Sequence, residues 1–72
     1  MIEDMTFGAY LEWRGASDPQ AKAFLAKSDR EALEHRSWAE MMRLFTEDRR
    51  APDYILQARQ LHMEFARQTG AR

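Results

Sequence analysis

Hydrophobic residues recur along this chain at intervals of three and four, the spacing that places side chains on one face of an α-helix. One such run in the second half follows the i, i+3, i+4, i+7 pattern with Trp38, Met41, Met42 and Phe45. A longer stripe comes after Pro52 and consists of Tyr54, Ile55, Ala58, Leu61, Phe65 and Ala66. The pattern predicts four to five short helices.

Capping residues give the boundaries of the first two helices. Thr6 is suited to an N-cap, and Gly15 to the C′ position that ends the same helix. Asp18 followed by Pro19 combines an N-cap carboxylate with a proline at the first helical position. The second helix is therefore expected to begin there and to end near Lys27.

Two capping boxes and a proline set the later boundaries. Ser28 with Glu31, and Ser37 with Glu40, have the spacing at which a hydroxyl and a carboxylate cap a helix reciprocally. Because Ser28 also closes the helix before it, the second and third segments are expected to be almost continuous, with a kink. Pro52 is expected to start the last helix, and Gly70 to end it.

Composition supports an all-α fold. The 72 residues include no Val or Asn, two Ile and three Thr, against eleven Ala and six Leu, so strand formers are scarce and helix formers abundant. We expect one compact bundle of four to five short helices over residues 1–72, with frayed ends at 1–5 and 70–72. The expected core is Phe7, Tyr10, Leu11, Phe24, Leu25, Leu33, Trp38, Met41, Phe45, Ile55, Leu61 and Phe65.

The same residues argue against membrane and secretory classes. No run approaches the roughly 18 apolar residues that a membrane span requires, and residues 1–4 are acidic where a signal peptide is basic. The absence of Cys excludes disulfides and thiolate metal ligands. We therefore expect a cytoplasmic protein with no membrane partner.

Catalytic chemistry finds little material in this chain. A catalytic zinc usually takes three protein ligands, and the imidazoles available are His35 and His62, which we expect at the surface or its boundary. The serines Ser17, Ser28 and Ser37 sit where helix caps are expected. The sequence therefore predicts no enzyme, no catalytic residues, no cofactor and no metal site.

The segment 6–14, Thr-Phe-Gly-Ala-Tyr-Leu-Glu-Trp-Arg, resembles the opening of the YozE SAM-like family of small bacterial proteins. The similarity continues in residues 37–40 and ends at Ala58, Met63 and Phe65. It implies a compact five-helix SAM-like bundle. Because the family has no established biochemical function, no functional residue is carried over.

The chain also departs from that family's pattern. Gly8 stands where an aromatic residue is usual, and Met63 replaces a common Trp. Residues 29–36 lack the Phe-Pro step associated with the family. These positions concern packing rather than catalysis.

Several large apolar residues fall off the main stripes. They are Trp13, Met42, Leu44, Leu56 and Met63. They either wrap the edge of a small core or form an exposed patch, and Trp and Met are enriched at protein interfaces. We predict a non-enzymatic interaction or regulatory module, monomeric or weakly dimeric, that contacts another protein. Its candidate interface residues are Trp13, Met42, Leu56 and Met63.

Arginine supports an alternative function. Nine of the eleven basic residues are Arg, a side chain suited to phosphate, and residues 38–46 and 53–69 could form a helix-turn-helix. The nucleic-acid candidates are Arg43, Arg49, Arg50 and Arg59. Interleaved acids leave residues 37–72 at +1, with helical pairs such as Arg43–Glu47 and Glu64–Arg67 expected, so this function ranks second. A third alternative is a phage or plasmid accessory protein that blocks a host complex.

Overall fold

Five helices make up the fold of residues 5–70, the part of the chain that the computed structural model describes. They are α1 (Phe7–Gly15), α2 (Pro19–Ala26), α3 (Arg30–Leu33), α4 (Trp38–Glu47) and α5 (Pro52–Thr69). No strand occurs among these residues, and the Cα radius of gyration is 11.0 Å. The predicted all-α bundle of short helices is confirmed.

The first two helices begin where the caps predict. The Thr6 hydroxyl oxygen accepts a hydrogen bond of 3.2 Å from the Ala9 backbone N–H. The Asp18 carboxylate accepts one of 3.0 Å from the Gln20 N–H, and Pro19 occupies the first turn of α2. Each side chain satisfies a backbone donor that has no partner inside its helix.

The predicted capping box of Ser28 and Glu31 is wrong. Asp29 is the N-cap of α3, and its carboxylate accepts from the Glu31 N–H at 3.1 Å. The Ser28 hydroxyl instead donates to the Phe24 carbonyl at 2.6 Å and accepts from the Tyr54 hydroxyl at 2.8 Å. Residues 27–29 lie between the two helices, so α2 and α3 are separate helices rather than one kinked segment.

The predicted capping box of Ser37 and Glu40 is confirmed in the position of its N-cap and wrong in its hydrogen bonds. Ser37 is the N-cap of α4, as predicted, but its side chain makes no capping hydrogen bond. The expected partner, Glu40, turns away and lies 3.2 Å from the His35 ring. A contact between the Glu40 carboxylate and Nδ1 of His35 in the preceding loop thus takes the place of the reciprocal cap.

Phe7 lies at the centre of the core. Its ring centroid is 6.5 Å from that of Phe24 on α2, 5.6 Å from Phe65 and 5.4 Å from His62 on α5. Its backbone N–H donates to the His35 carbonyl at 2.9 Å. One residue therefore links α1 to two other helices and to the loop after α3.

The observed core overlaps the expected one. The buried apolar residues are Phe7, Tyr10, Leu11, Ala21, Phe24, Ala32, Leu33, Met41, Phe45, Tyr54, Ala58, Leu61 and Phe65. Leu25, Trp38 and Ile55 are half-buried and pack against this cluster, although they were expected within it. Tyr54, which is not among the expected core residues, is buried, and its ring stacks on that of Phe24 with 4.7 Å between the centroids.

The chain ends add two details. Residues 1–4 and 71–72, where fraying is expected, lie outside the described residues. Met5 packs against the core. Gly70 ends α5 in the left-handed conformation with φ of 76°, as its position predicts.

Gly15 and Gly8 serve helix packing rather than turns. Gly15 is the last residue of α1 and not its left-handed C′ residue, and a Cβ there would lie 3.3 Å from the Lys22 Cα of α2. A Cβ on buried Gly8 would lie 3.2 Å from the Leu33 Cβ and 3.3 Å from the Leu33 carbonyl oxygen. An aromatic residue at position 8, as the family pattern has it, would require α3 to move.

We therefore expect Gly8→Ala to lower the free energy of unfolding by about 1 kcal/mol, because overpacking against α3 costs more than the added helix propensity returns. Ala23→Gly, on the exposed side of α2, measures that propensity separately. Urea denaturation of both variants supplies the test. An unchanged or raised midpoint for Gly8→Ala would show that α3 gives way without cost.

The end of α4 places an arginine in a conformation that favours glycine. Arg49 has φ of 55°, its N–H donates to the Thr46 carbonyl at 3.1 Å, and the Arg50 N–H donates to the Phe45 carbonyl at 3.0 Å. These two bonds form a Schellman motif, in which the C′ residue is left-handed and usually Gly. The Cβ of Arg49 is therefore a source of strain.

Replacing Arg49 by Gly should raise the free energy of unfolding by about 1 kcal/mol, since Gly adopts this conformation without strain. Arg43→Gly, within α4, should lower it by about the same amount through lost helix propensity. Thermal unfolding of the two variants distinguishes the cases. Destabilisation by both would mean that the Arg49 side chain makes a stabilising contact that outweighs its backbone cost.

Candidate interaction surface

A shallow apolar groove lies between α4 and α5. Residues from both helices line it: Trp38, Met42, Pro52, Ile55, Leu56 and Arg59. Leu56 is 61% exposed although it is a large aliphatic residue. Because α5 turns one side to the core and the other to solvent, a second apolar stripe on it has no partner among the described residues.

A second depression continues the groove along α5. It is lined by Arg59, His62, Met63, Ala66 and Arg67, and Arg59 belongs to both depressions. Met63 is 52% exposed. We call the residues that line the two depressions together the α4–α5 face.

Charge on the α4–α5 face is of one sign. Arg59 and Arg67 are its charged residues, and no carboxylate is among the residues that line it. With about 100° between successive residues of a helix, Asp53 and Glu64 fall beyond Leu56, on the far edge of α5. The chain as a whole carries −1, so this face differs from the average surface.

Arg59 is held against the face rather than free in solvent. Its guanidinium carbon lies 5.0 Å from the centroid of the Trp38 ring, a cation–π distance. The indole packs in turn at 5.5 Å from the His62 ring and 6.1 Å from the Phe45 ring. The floor of the groove is therefore aromatic and anchored in the core.

His62 departs from the expected surface position, because it is only 1% exposed. One ring nitrogen, Nε2, lies 2.8 Å from the Arg36 carbonyl oxygen. A carbonyl accepts, so we assign the proton to Nε2, which leaves Nδ1 as a buried acceptor without a hydrogen-bond partner. Burial lowers the pKa of His62, and nearby Arg59 lowers it further, against the opposing hydrogen bond to Arg36.

The candidate interface residues do not all meet. Met42 and Leu56 line the groove and Met63 lines its continuation. Trp13 lies on α1, 52% exposed, with its ring 5.9 Å from that of Tyr10, and it lines neither depression. Leu44, the remaining off-stripe residue, is half-buried and packs against the core.

The four candidate nucleic-acid residues lie in different surroundings, and two of them contact different aromatic rings. Arg50 lies 4.7 Å from the Tyr54 centroid and donates to the Lys27 carbonyl at 3.4 Å, whereas Arg59 covers Trp38. Arg43 and Arg49 are exposed on α4 and just after it. These four side chains do not line a common depression.

Ion pairs also differ from those expected. Instead of pairing with Arg67, Glu64 lies 3.9 Å from Arg14, which is also 3.3 Å from Asp18. Arg30 pairs with Glu12 across α1 and α3. The expected Arg43–Glu47 pair is not among the ion pairs of the described residues, so Arg43 and Arg67 keep their charge on the outside of the bundle.

Sequence reasoning missed part of this surface. The apolar pattern places Ile55 in the core and the basic residues place Arg59 among the phosphate-binding candidates, but both line the groove. A signal for the groove is present, since Leu56, Arg59, Met63 and Ala66 recur at intervals of three and four beside the core stripe of α5. His62 also has the spacing of that core stripe, four residues after Ala58 and three before Phe65, but a polar side chain there does not by itself indicate burial.

Comparison of the chain with protein-family models, curated proteins and solved structures finds no match. Among residues 5–70 no cluster of three or more His, Cys, Asp or Glu side chains could hold a metal ion. No helix in that part of the chain has the length and apolar character needed to cross a membrane. The α4–α5 face is thus the feature on which a functional argument rests.

The state of His62 predicts an acid-sensitive fold. The unfolded chain takes up a proton near the ordinary histidine pKa of 6.5, whereas the folded protein resists it, so the stabilisation is complete above that pH and is lost as pH falls below it. Between pH 7 and 5 we expect the free energy of unfolding to fall, by at most about 1.4 kcal/mol per pH unit. Urea denaturation over this range is the measurement.

Two variants identify the residue responsible. His62→Gln keeps an N–H donor for the Arg36 carbonyl and should flatten the profile, at some cost in absolute stability. His35→Gln, the other histidine, should leave the His62-dependent fall in place. A profile unchanged by His62→Gln would show that this imidazole is not the group that titrates.

Proposed function

We propose that the protein is a non-enzymatic interaction module that binds another protein through its α4–α5 face. The observation that carries the proposal is a pair of adjoining apolar depressions, joined at Arg59, on which Leu56 and Met63 are each more than half exposed. Exposed apolar surface of this kind, bordered by polar residues, is typical of protein-binding sites. Its composition of Trp, Met and Arg is also that of interfaces.

Nucleic-acid binding is less well supported by the same residues. Phosphate binding draws on several cations that converge on a backbone, but Arg50 and Arg59 are engaged with different rings. The surface beside Arg59 is apolar rather than polar. Protein binding therefore remains the proposal, and nucleic acid becomes an outcome of its test.

The double variant Leu56→Glu/Met63→Glu should lose protein partners. It should keep its fold, because both positions are exposed and the two introduced carboxylates lie on the α4–α5 face rather than in the core. The protein is immobilised and used to capture partners from a lysate of its native cells, and the captured proteins are quantified by mass spectrometry. We expect a protein held by the unmodified chain to fall at least tenfold in the variant.

Matched controls keep this test specific. Gln20→Glu/Ala23→Glu adds the same charge to exposed positions of α2 and should capture as the unmodified chain does. Circular dichroism melting verifies that each variant is folded. A further variant, Trp13→Glu on α1, should also capture as the unmodified chain does. The proposal would be contradicted by equal capture in the unmodified chain, the α4–α5 variant and the α2 control, by loss of capture in Trp13→Glu alone, or by recovery of nucleic acid that depends on Arg59.

A further inference from the structure

We propose that the occupant of the α4–α5 face is an amphipathic helix of another protein, with carboxylates beside its apolar residues. This inference rests on the proposed function and adds the chemistry of the partner. Two observations carry it: the first depression lies between two helices, and the charged residues that line the face are both arginines. The second observation also bears on whether a second copy of the chain could bind there.

The shape of the face suits a helix. The groove lies between α4 and α5, with Trp38 and Met42 on one side and Leu56 on the other. Only the first depression lies between the two helices, and on α5 it extends from Pro52 to Arg59, which at 1.5 Å per residue is about 10 Å. The second depression is lined by residues of α5 alone, from Arg59 to Arg67. About two turns of a bound helix fill the first depression, and helix-in-groove binding uses apolar residues at i, i+3, i+4 and i+7, which span that length.

The charge of the face selects among such helices. Arg59 lies at the junction of the two depressions and Arg67 at the end of the second, and no acid lines either. Arg67 also lines a neighbouring depression together with Glu64. Neither depression that Arg59 lines contains an acid, so a bound carboxylate would lie beside Arg59 in particular. Since Arg59 rests on the Trp38 ring, a bound helix would partly exclude water from it, and such a pair is stronger than one in solvent. Basic flanks would be repelled.

The same charges argue against a second copy of this chain. A two-fold dimer buries the same surface of both subunits. Such an interface would gather Arg59 and Arg67 of both copies on apolar surfaces whose lining contributes no acid, and bringing like charges together in this way is costly. An acidic partner removes this penalty.

An anionic membrane fits the face less well. Helices that bind a bilayer surface present a convex apolar side to the lipid with many cations around it. Here Trp38 and Met42 of α4 face Leu56 of α5 across the first depression. Glu64 lines a neighbouring depression together with Arg67, and two arginines are the cations of the face. The observations therefore favour a helix that enters the groove.

The test is selection from a displayed library of helical 18-residue peptides. All members carry Leu, Ile or Phe at i, i+3, i+4 and i+7, and their other positions are randomised among Glu, Gln, Lys and Ala. The unmodified protein is the target, and Leu56→Glu/Met63→Glu is the counter-target. We expect the selected peptides to be enriched in Glu and depleted in Lys, with retention on the target only.

Affinity measurements then assign the charge effect to the face. The best Glu-flanked peptide should bind at least tenfold more tightly than the same peptide with Lys flanks. Arg67→Gln should weaken the Glu-flanked peptide several-fold at low salt, whereas Lys22→Gln, which removes an equal charge from exposed α2, should not. High salt should reduce the difference between the peptides.

Several results would overturn the inference. They are a selected pool that is neutral or basic, no pool that distinguishes target from counter-target, dimerisation in sedimentation equilibrium that Leu56→Glu/Met63→Glu abolishes, and binding to phosphatidylserine vesicles that needs the same residues. If lysate capture still depends on the face while the selected peptides are basic, the interaction function stands and only the acidic partner fails. If neither depends on the face, both fail.

Discussion

The packing of Phe7 is the constraint on which the rest of this structure depends. Its ring contacts Phe24 on α2 and Phe65 and His62 on α5, and its backbone N–H is bonded to the His35 carbonyl. A domain of this size buries only about 60% of the surface that its unfolded chain exposes. Each large buried side chain therefore contributes a large part of the packing, and Phe7 is the one that contacts α2, α5 and the loop after α3. Gly8, next to it, lets α3 approach closely enough to close the core.

That arrangement explains why one face remains apolar. With Phe65 and its neighbours turned inward to Phe7, the opposite stripe of α5 faces solvent, and α4 reaches it only at Trp38 and Met42. Trp38 is half-buried because His62 and Phe45 support one side of it and Arg59 covers another. The candidate surface is thus a consequence of how the core is packed, with the ring of Trp38 held by its contacts to His62, Phe45 and Arg59 and with Leu56 and Met63 exposed beside it.

Local signals in the sequence were sufficient for most helix boundaries and insufficient where a distant residue competes. Thr6, Asp18 and Pro52 mark helix starts because their effect lies within one turn. Ser28 does not cap α3: its hydroxyl oxygen accepts a hydrogen bond from the Tyr54 hydroxyl of α5, and Asp29 is the N-cap instead. Periodicity identifies Leu56 and Met63 as lying off the core stripe of α5. It could not separate Trp13 from them, because Trp13 lies on α1 and lines neither depression.

Sequence alone determined the all-α class, most of the core and the existence of unpartnered apolar residues, because helix propensity, caps and periodicity are local properties of the chain. Tertiary structure decided which of those residues adjoin one another, that Arg50 and Arg59 serve different rings, and that His62 is buried with one nitrogen unpaired. The reason is physical: burial and electrostatic environment are set by contacts between helices that are distant in sequence, and no local pattern specifies how those helices cross.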